Sequence, residues 1–264
     1  MIEKLKEFLK KETSLEFGFC PFSAIENSLI ECAAKKRIPK GAKTVISFLF
    51  PYKCEDKSPL NISRYAAVED YHQICDEMLD KIKHKLMAEF KNNCFEYFVD
   101  NSPIPEVKAA ALSKLGVVGK NNLLITPKWG SFVFLGEIIT DIGDKFPPTI
   151  LNYCLNCNKC IEKCPTGHLK NKEIACLSDI TQKKKITKEE EKVIASNGCV
   201  WGCDICQEVC PLNLEKSITN IAEFKKSYRD KYEFNEENKN RAYNWRGTEV
   251  IKRNYEILSK SKQS

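Results

Sequence analysis

CLNCNKCIEKCP, residues 154–165, and CDICQEVCP, residues 203–211, decide the fold of this 264-residue chain. The first stretch sets Cys154, Cys157, Cys160 and Cys164 in a C-x-x-C-x-x-C-x-x-x-C-P run. Three closely spaced thiolates wrap one 4Fe–4S cubane, and the proline turn carries the fourth away to a second cubane. The second stretch repeats the later part of this pattern with Cys203, Cys206, Cys210 and Pro211. The pseudo-symmetric reading puts Cys154, Cys157, Cys160 and Cys210 on one cluster. The other takes Cys164, Cys203 and Cys206 and is one ligand short. Spacing leaves Cys176 and Cys199 open for it, Cys199 standing one residue before Val200, where the first run would place a ligand. Zinc is the competing occupant, but two interlocking C-P runs fit cubanes better than a closed tetrahedral ion site.

A two-cluster module of the bacterial-ferredoxin kind fills roughly 55–80 residues, so most of this chain must do something else. Its 14 cysteines divide: nine lie between 154 and 210, while Cys20, Cys32, Cys54, Cys75 and Cys94 are scattered singly and read as small buried apolar side chains. Clustered cysteines without a secretory context point to metal, not disulfides. The N-terminus, MIEKLKEFLKKETS, lacks a signal-peptide pattern; Ile2, Leu5, Phe8 and Leu9 instead mark an amphipathic helix. The most apolar stretch, 44–50, is too short to span a bilayer. A cytoplasmic protein with no membrane partner is expected. The net charge of +6, with a concentration at Lys183, Lys184 and Lys185, reads as a solvated basic surface that does not by itself identify a nucleic-acid partner.

Residues 43–50 (KTVISFLF) predict a buried strand ended by Pro51. A helix is expected over 68–90, with Val68, Tyr71, Cys75, Met78, Ile82 and Leu86 on one stripe. CFEYFVD (94–100) predicts a strand, NSPIP a turn into a helix over 105–115 ended by Gly116, and residues 121–126 and 131–140 a hairpin around 127–130. Residues 141–152, with Gly143, Pro147 and Pro148, read as a linker; a helix is expected over 242–258. The result is an α+β chain: an α/β domain over 1–145, a two-cluster module over 146–215 and a helical tail over 216–264. His72 and His84 fall on the predicted long helix as surface or packing residues, and His168 follows the cluster turn; none is assigned a role.

Outside the cysteines, SRYAAVEDYH (63–72), VDNSPIPE (99–106), GVVGKNNLLITPKWGSFVFLGEIIT (116–140), CPTG (164–167), GCDICQEVCPLN (202–213) and NRAYNWRGTEVIKRNYEIL (240–258) occur in one order that resembles the epoxyqueuosine reductase family. The resemblance covers roughly 40–258 and implies a cobalamin-binding α/β domain followed by the two-cluster module, with the cobalamin between them. It implies Cys176, in Ala175-Cys176-Leu177-Ser178, as the eighth ligand and leaves Cys199 a spare thiol. It places Asp100 on the proton donor, Ser63, Gly119, Leu124, Leu135 and Ser178 on corrin contacts, and Gln182 and Lys184 near tRNA. Departures are Val117 or Val118 in place of a bulky aromatic, Val107 in place of a basic residue, a shorter spacing from Cys164 to Cys176, and a short chain without the C-terminal helical-repeat extension.

The implied reaction removes the epoxide oxygen from a modified nucleoside in the anticodon region of tRNA, leaving an alkene and water. Cobalamin would carry the hard chemistry, and a low-potential donor such as a ferredoxin or flavodoxin would supply electrons. Asp100 follows Phe98 and Val99, and this apolar wall is expected to raise its pKa and keep it protonated. Read without the family, Asp100 is a turn cap, Gly119 a turn before a strand, and Leu124 and Leu135 core. Two other functions compete: a corrinoid-dependent reductase of a small molecule, and a ferredoxin-like electron carrier.

Overall fold

TVISFLF combines β-branched and aromatic side chains with no charge, so it gains most as a strand covered on both faces. In the computed structural model, which describes residues 1–143, 146, 150–234 and 240–261, all of β2 (Thr44–Pro51) is buried. The chain divides into two compact units: one comprises residues 1–50, 71–127 and 133–154, the other residues 51–70, 128–132 and 155 onward. Both are discontinuous, unlike the contiguous division read from the sequence. Pro147 and Pro148 of the expected linker lie outside the described residues.

The first unit is built on a four-stranded sheet in the order β1 (Glu16–Pro21), β2, β6 (Val133–Thr140), β3 (Phe95–Val99). β1 and β2 run antiparallel with Glu16 opposite Leu49, and β3 and β6 antiparallel with Phe95 opposite Thr140. The long helix α3 (Tyr71–Glu89) packs on β3 and β6. Its buried stripe is Ile74, Cys75, Leu79, Ile82 and Leu86; Met78 is only half-buried and Val68 lies before the helix. Gly136 allows this approach, since a Cβ there would stand 2.8 Å from Leu79 Cδ1. The N-terminal helix α1 (Ile2–Glu12) buries Ile2, Leu5 and Leu9, and Phe8 meets Phe90 edge-on at 5.7 Å. Helix α4 (Glu106–Leu112), entered from Pro105, packs on β1 and β6.

The predicted hairpin does not form. β5 (Leu124–Ile125) pairs with β4 (Val117–Val118), while β6 is occupied on both edges by β2 and β3. Of the five scattered cysteines, Cys20, Cys54 and Cys75 are buried, but Cys32 is partly exposed and Cys94 exposed.

The second unit holds short helices: α2 (Arg64–Ala67), α5 (Lys159–Glu162), α6 (Leu177–Gln182), α7 (Lys188–Asn197), α8 (Ile205–Glu208), α9 (Ala222–Ser227) and α10 (Thr248–Ser261). Its core surrounds Trp201, with Ile194, Val200, Tyr243 and Ile251. A capping box starts α7, Thr187 accepting from the Glu190 N–H and Glu190 from the Thr187 N–H. Asn254, fully buried on α10, donates through Nδ2 to the carbonyls of Thr181 and Val200, both at 2.8 Å. That clasp fixes the segments that follow Cys176 and precede Cys203.

Candidate active site

Cys160 lies in α5 and Cys206 in α8, and these two single-turn helices pack against each other. Around Cys164, burial raises the thiol, but the N–H groups of Leu169, Thr166 and Gly167 and the Thr166 hydroxyl outweigh it and hold the thiol below its ordinary range. Such a ring of donors suits a thiolate ligand. Cys203 is pushed up to about 12, first by burial and then by Cys176, Asp204 and Cys164. Cys176 is raised by burial and also by Cys164. Cys164, Cys176 and Cys203 therefore feel one another's charge. Cys199 is pushed up to about 12, first by burial and then by Asp204 and Cys203, and donates from Sγ to the Trp201 carbonyl at 3.2 Å.

The segment carrying Cys203 and Cys206 is held by a charged knot. Asp204 is buried and accepts from the Arg64 N–H at 2.7 Å and from Gln207 Nε2 at 3.0 Å. The Arg64 guanidinium reaches Asp56 at 2.7 Å, Glu208 at 2.8 Å and Asp204 at 3.5 Å. Burial nevertheless pushes Asp204 up to about 6.

Asp100 stands where β3 ends, with φ of +55° in the left-handed region that Asp tolerates better than most side chains. Its environment corrects the expected apolar wall. The side chain is 55% exposed, with His72 Nε2 at 3.2 Å from Oδ2 and the Tyr71 hydroxyl donating to Oδ1 at 3.0 Å. His72, more than burial, sets the titration and holds the carboxyl below its ordinary range. Tyr71 is itself fixed, stacked between His72 at 4.0 Å and Phe134 at 3.9 Å. His72 thus has a place in the site that its helical position did not reveal.

A cavity of about 440 Å³ opens beside Asp100, lined also by Ser102, Glu106, Val118, Asn122 and Tyr153. Glu106 accepts from the Asp100 backbone N–H and is pushed up to about 8, first by burial and then by the Asp100 charge. Glu137 in β6 is wholly buried, and burial followed by Glu106 raises it well above the carboxylate range. Its two oxygens, and Oε1 of Glu106, have no hydrogen-bond partner of normal geometry, although the Ser102 hydroxyl faces Glu137. Sequence reading missed Glu137; the signal available was one carboxylate inside the otherwise uncharged run VFLGEIIT.

Gly119 lies in a turn, its N–H donating to the Leu123 carbonyl at 2.9 Å, and a Cβ there would stand 2.2 Å from Asn121 Oδ1. Leu124 is buried in β5 and Leu135 half-buried in β6. Ser63 caps the entry to α2, its buried Oγ without a hydrogen-bond partner, as is Asn121 Nδ2. Gln182 and Ser178 meet on α6, Gln182 Nε2 donating to the Ser178 carbonyl at 3.2 Å. Lys184 is exposed, on a segment whose carbonyls at Lys183 and Lys184 accept from Arg253 at 2.8 and 3.0 Å.

Among the described residues, no three His, Cys, Asp or Glu side chains converge on a single-ion position, and no helix is long and apolar enough to cross a membrane. Residues 153–213 match the 4Fe-4S double cluster binding domain, and residues 33–101 match Epoxyqueuosine reductase QueG, DUF1730. An epoxyqueuosine reductase of Leadbetterella byssophila is 36% identical over 184 residues, 67% of this chain and 61% of the relative. One from Cellulophaga algicola is 30% identical over 217 residues, covering 80% of this chain and 69% of the relative. The chain thus spans about three fifths of the first relative's length. A crystal structure of epoxyqueuosine reductase with an epoxyqueuosine-modified tRNA-Tyr stem loop superposes with a TM-score of 0.79 at 25% identity, over 97% of this chain and 80% of that one. With its cysteine runs forming a double-cluster domain and that relatedness over most of its length, the chain belongs to the epoxyqueuosine reductase family.

Proposed function

We propose that this chain reduces the epoxide of epoxyqueuosine in tRNA to the alkene of queuosine. One observation carries the reading: a single chain combines the thiol set of a double-cluster domain with a carboxyl-lined cavity at Asp100. Epoxide reduction needs both electrons and protons, and these are the groups that deliver them. Cys154, Cys157, Cys160 and Cys210 would hold one cluster, and Cys164, Cys176, Cys203 and Cys206 the other. Both Cys176 and Cys199 share an electrostatic influence with Cys203, but only Cys176 also feels Cys164, which supports Cys176 over Cys199. A ferredoxin or flavodoxin of low potential would feed them.

Cobalamin fits the residues present. The buried Nδ2 of Asn121, without a hydrogen-bond partner in the turn after Gly119, suits a large cofactor rimmed with amides. By the family resemblance, Ser63, Gly119, Leu124, Leu135 and Ser178 would hold it, the domain read over 1–145 supplying most of these contacts. When bound, it supplies nucleophilic two-electron chemistry at the substrate carbon. Asp100, held by His72 and Tyr71, would pass a proton to the departing oxygen. Gln182 and Lys184 would meet the tRNA.

The test is an anaerobic assay on tRNA from cells lacking their own reductase, with the epoxide followed by mass spectrometry. Conversion to the alkene, dependent on added cobalamin and a low-potential reductant, is expected. Reconstituted protein that binds cobalamin yet leaves the epoxide intact would overturn the proposed substrate.

A further inference from the structure

Asp100 presents a difficulty for any reaction that must take up protons. Paired with His72 and Tyr71, it is an ionised carboxylate in this geometry, and a carboxylate has no proton to give. Reducing an epoxide to an alkene breaks two C–O bonds and consumes two electrons and two protons, the oxygen leaving as water. The electrons come one at a time from the iron–sulfur clusters. The protons need a store within reach of the same cavity.

We propose that Glu106, backed by Glu137, is that store: a carboxyl pair that holds a proton on the cavity wall and reloads Asp100 with it. Glu106 lines the cavity with Asp100 and is tied to it through the Asp100 backbone N–H. Oε1 of Glu106 is buried without a hydrogen-bond partner, and the two buried oxygens of Glu137 have none of normal geometry, only the Ser102 hydroxyl facing them. An ionised carboxylate so placed would be costly, while a neutral carboxyl is far less so. The titratable groups facing the pair are Asp100 on the cavity side and Cys20 on β1, itself pushed up to about 11 by burial. Neither is a cation. Lys108, also on the cavity wall, gives its ammonium to Ser28 Oγ. In the transfer, Glu106 loses its proton to the Asp100 carboxylate, Asp100 passes it to the leaving oxygen, and solvent entering the cavity reloads Glu106.

The proposal rests on the reductase reading for its substrate but not for its first test. Infrared difference titration of the anaerobically purified holoprotein, without tRNA, should show protonated-carboxyl C=O bands at pH 7; Glu106→Gln should remove one and Glu137→Gln another. Stability gives a second readout. A carboxyl whose folded pKa is raised from 4.5 to about 8 stabilises the fold most below 4.5, and that contribution is lost as pH rises through about 8. Glu106→Gln should flatten this fall. In single turnover on epoxide-bearing tRNA, Glu106→Gln should lose about a hundredfold in rate and the alkaline limb of the profile, with Glu106→Asp restoring part of both. If Glu106→Gln does not fold, Glu137→Gln, which lies behind the cavity wall, should shift the alkaline limb instead. Carboxyl bands absent at pH 7, or an alkaline limb unchanged in both variants, would overturn the proposal. Bands present in a wild-type protein that does not reduce the epoxide would support the proton store while overturning the substrate.

Discussion

Strand β2 and residues 155–176 show two different ways of holding a chain in place. All eight residues of β2 are buried, with Val45, Ile46, Phe48, Leu49 and Phe50 fully so. Each such side chain contributes about 1.5–3 kcal/mol by leaving water. Between 155 and 176 not one residue is buried, and Leu155 and Ile174 are 65% and 44% exposed. Hydrophobic burial cannot fix that stretch. Its helix α5 is a single turn, too short to persist alone. What remains is the metal: thiolates bound to clusters replace the missing core, as in other small metal-held modules.

The largest expected effect follows directly. Anaerobic protein should carry about eight irons and eight sulfides. Chelating the iron should abolish amide-exchange protection over 155–176 and leave β2 as protected as before. Protection that survives iron removal would break the comparison, and stoichiometric zinc with little iron would break the cluster reading with it.

Next in size is Asp100→Asn. Because Asp100 sits in a unit whose sheet is held by burial, the substitution should leave fold, iron and cobalamin content unchanged. Asn also tolerates the positive φ at this position. Single-turnover epoxide reduction with pre-reduced protein should fall roughly a hundred- to ten-thousand-fold if Asp100 passes the proton. A rate equal to wild type would reduce Asp100 to a turn residue.

The same contrast explains what the sequence made legible. The cysteine runs could be read because their geometry lies in spacing along the chain, each C-P step being a local instruction. β2 could be read because an uncharged β-branched run has few other homes. The proton machinery is assembled across distance. His72 reaches Asp100 from a different element, 28 positions away along the chain, and reverses the titration that Phe98 and Val99 suggested. Glu106 raises the pKa of Glu137 because α4 packs on β6, which neither segment announces. The failed hairpin has the same origin, since β6 finds β2 and β3, both distant in sequence, in preference to β5 beside it.

The proposed cluster ligands sharpen the comparison at single residues. Cys176→Ala should lower iron toward about four per chain. Cys199→Ala should leave both clusters, because its thiol already bonds the Trp201 carbonyl. Iron measured after anaerobic reconstitution distinguishes them, and the opposite pattern would put Cys199 on the second cluster.

The smallest expected effect concerns the surface beyond the clusters. Lys184 is exposed on a segment whose backbone is fastened by Arg253 at the carbonyls of Lys183 and Lys184. That segment owes its position to α10, not to the clusters, so its charge can be reversed without touching a cluster ligand. If Lys184 meets a tRNA phosphate, Lys184→Glu should weaken binding severalfold at low salt and reduce the slope of log affinity against log salt by about 1. Iron and cobalamin content should stay at wild type. The salt slope is the deciding quantity, because a phosphate contact releases counterions whereas a change confined to protein structure does not. Arg253→Lys provides the control: it keeps the charge but loses the guanidinium, whose Nη1 donates to both carbonyls while Nε and Nη2 hold Asn254 Oδ1. It should therefore weaken binding with less change in slope than Lys184→Glu. Equal tRNA affinity and equal slope in wild type and Lys184→Glu would remove Lys184 from the RNA-facing surface.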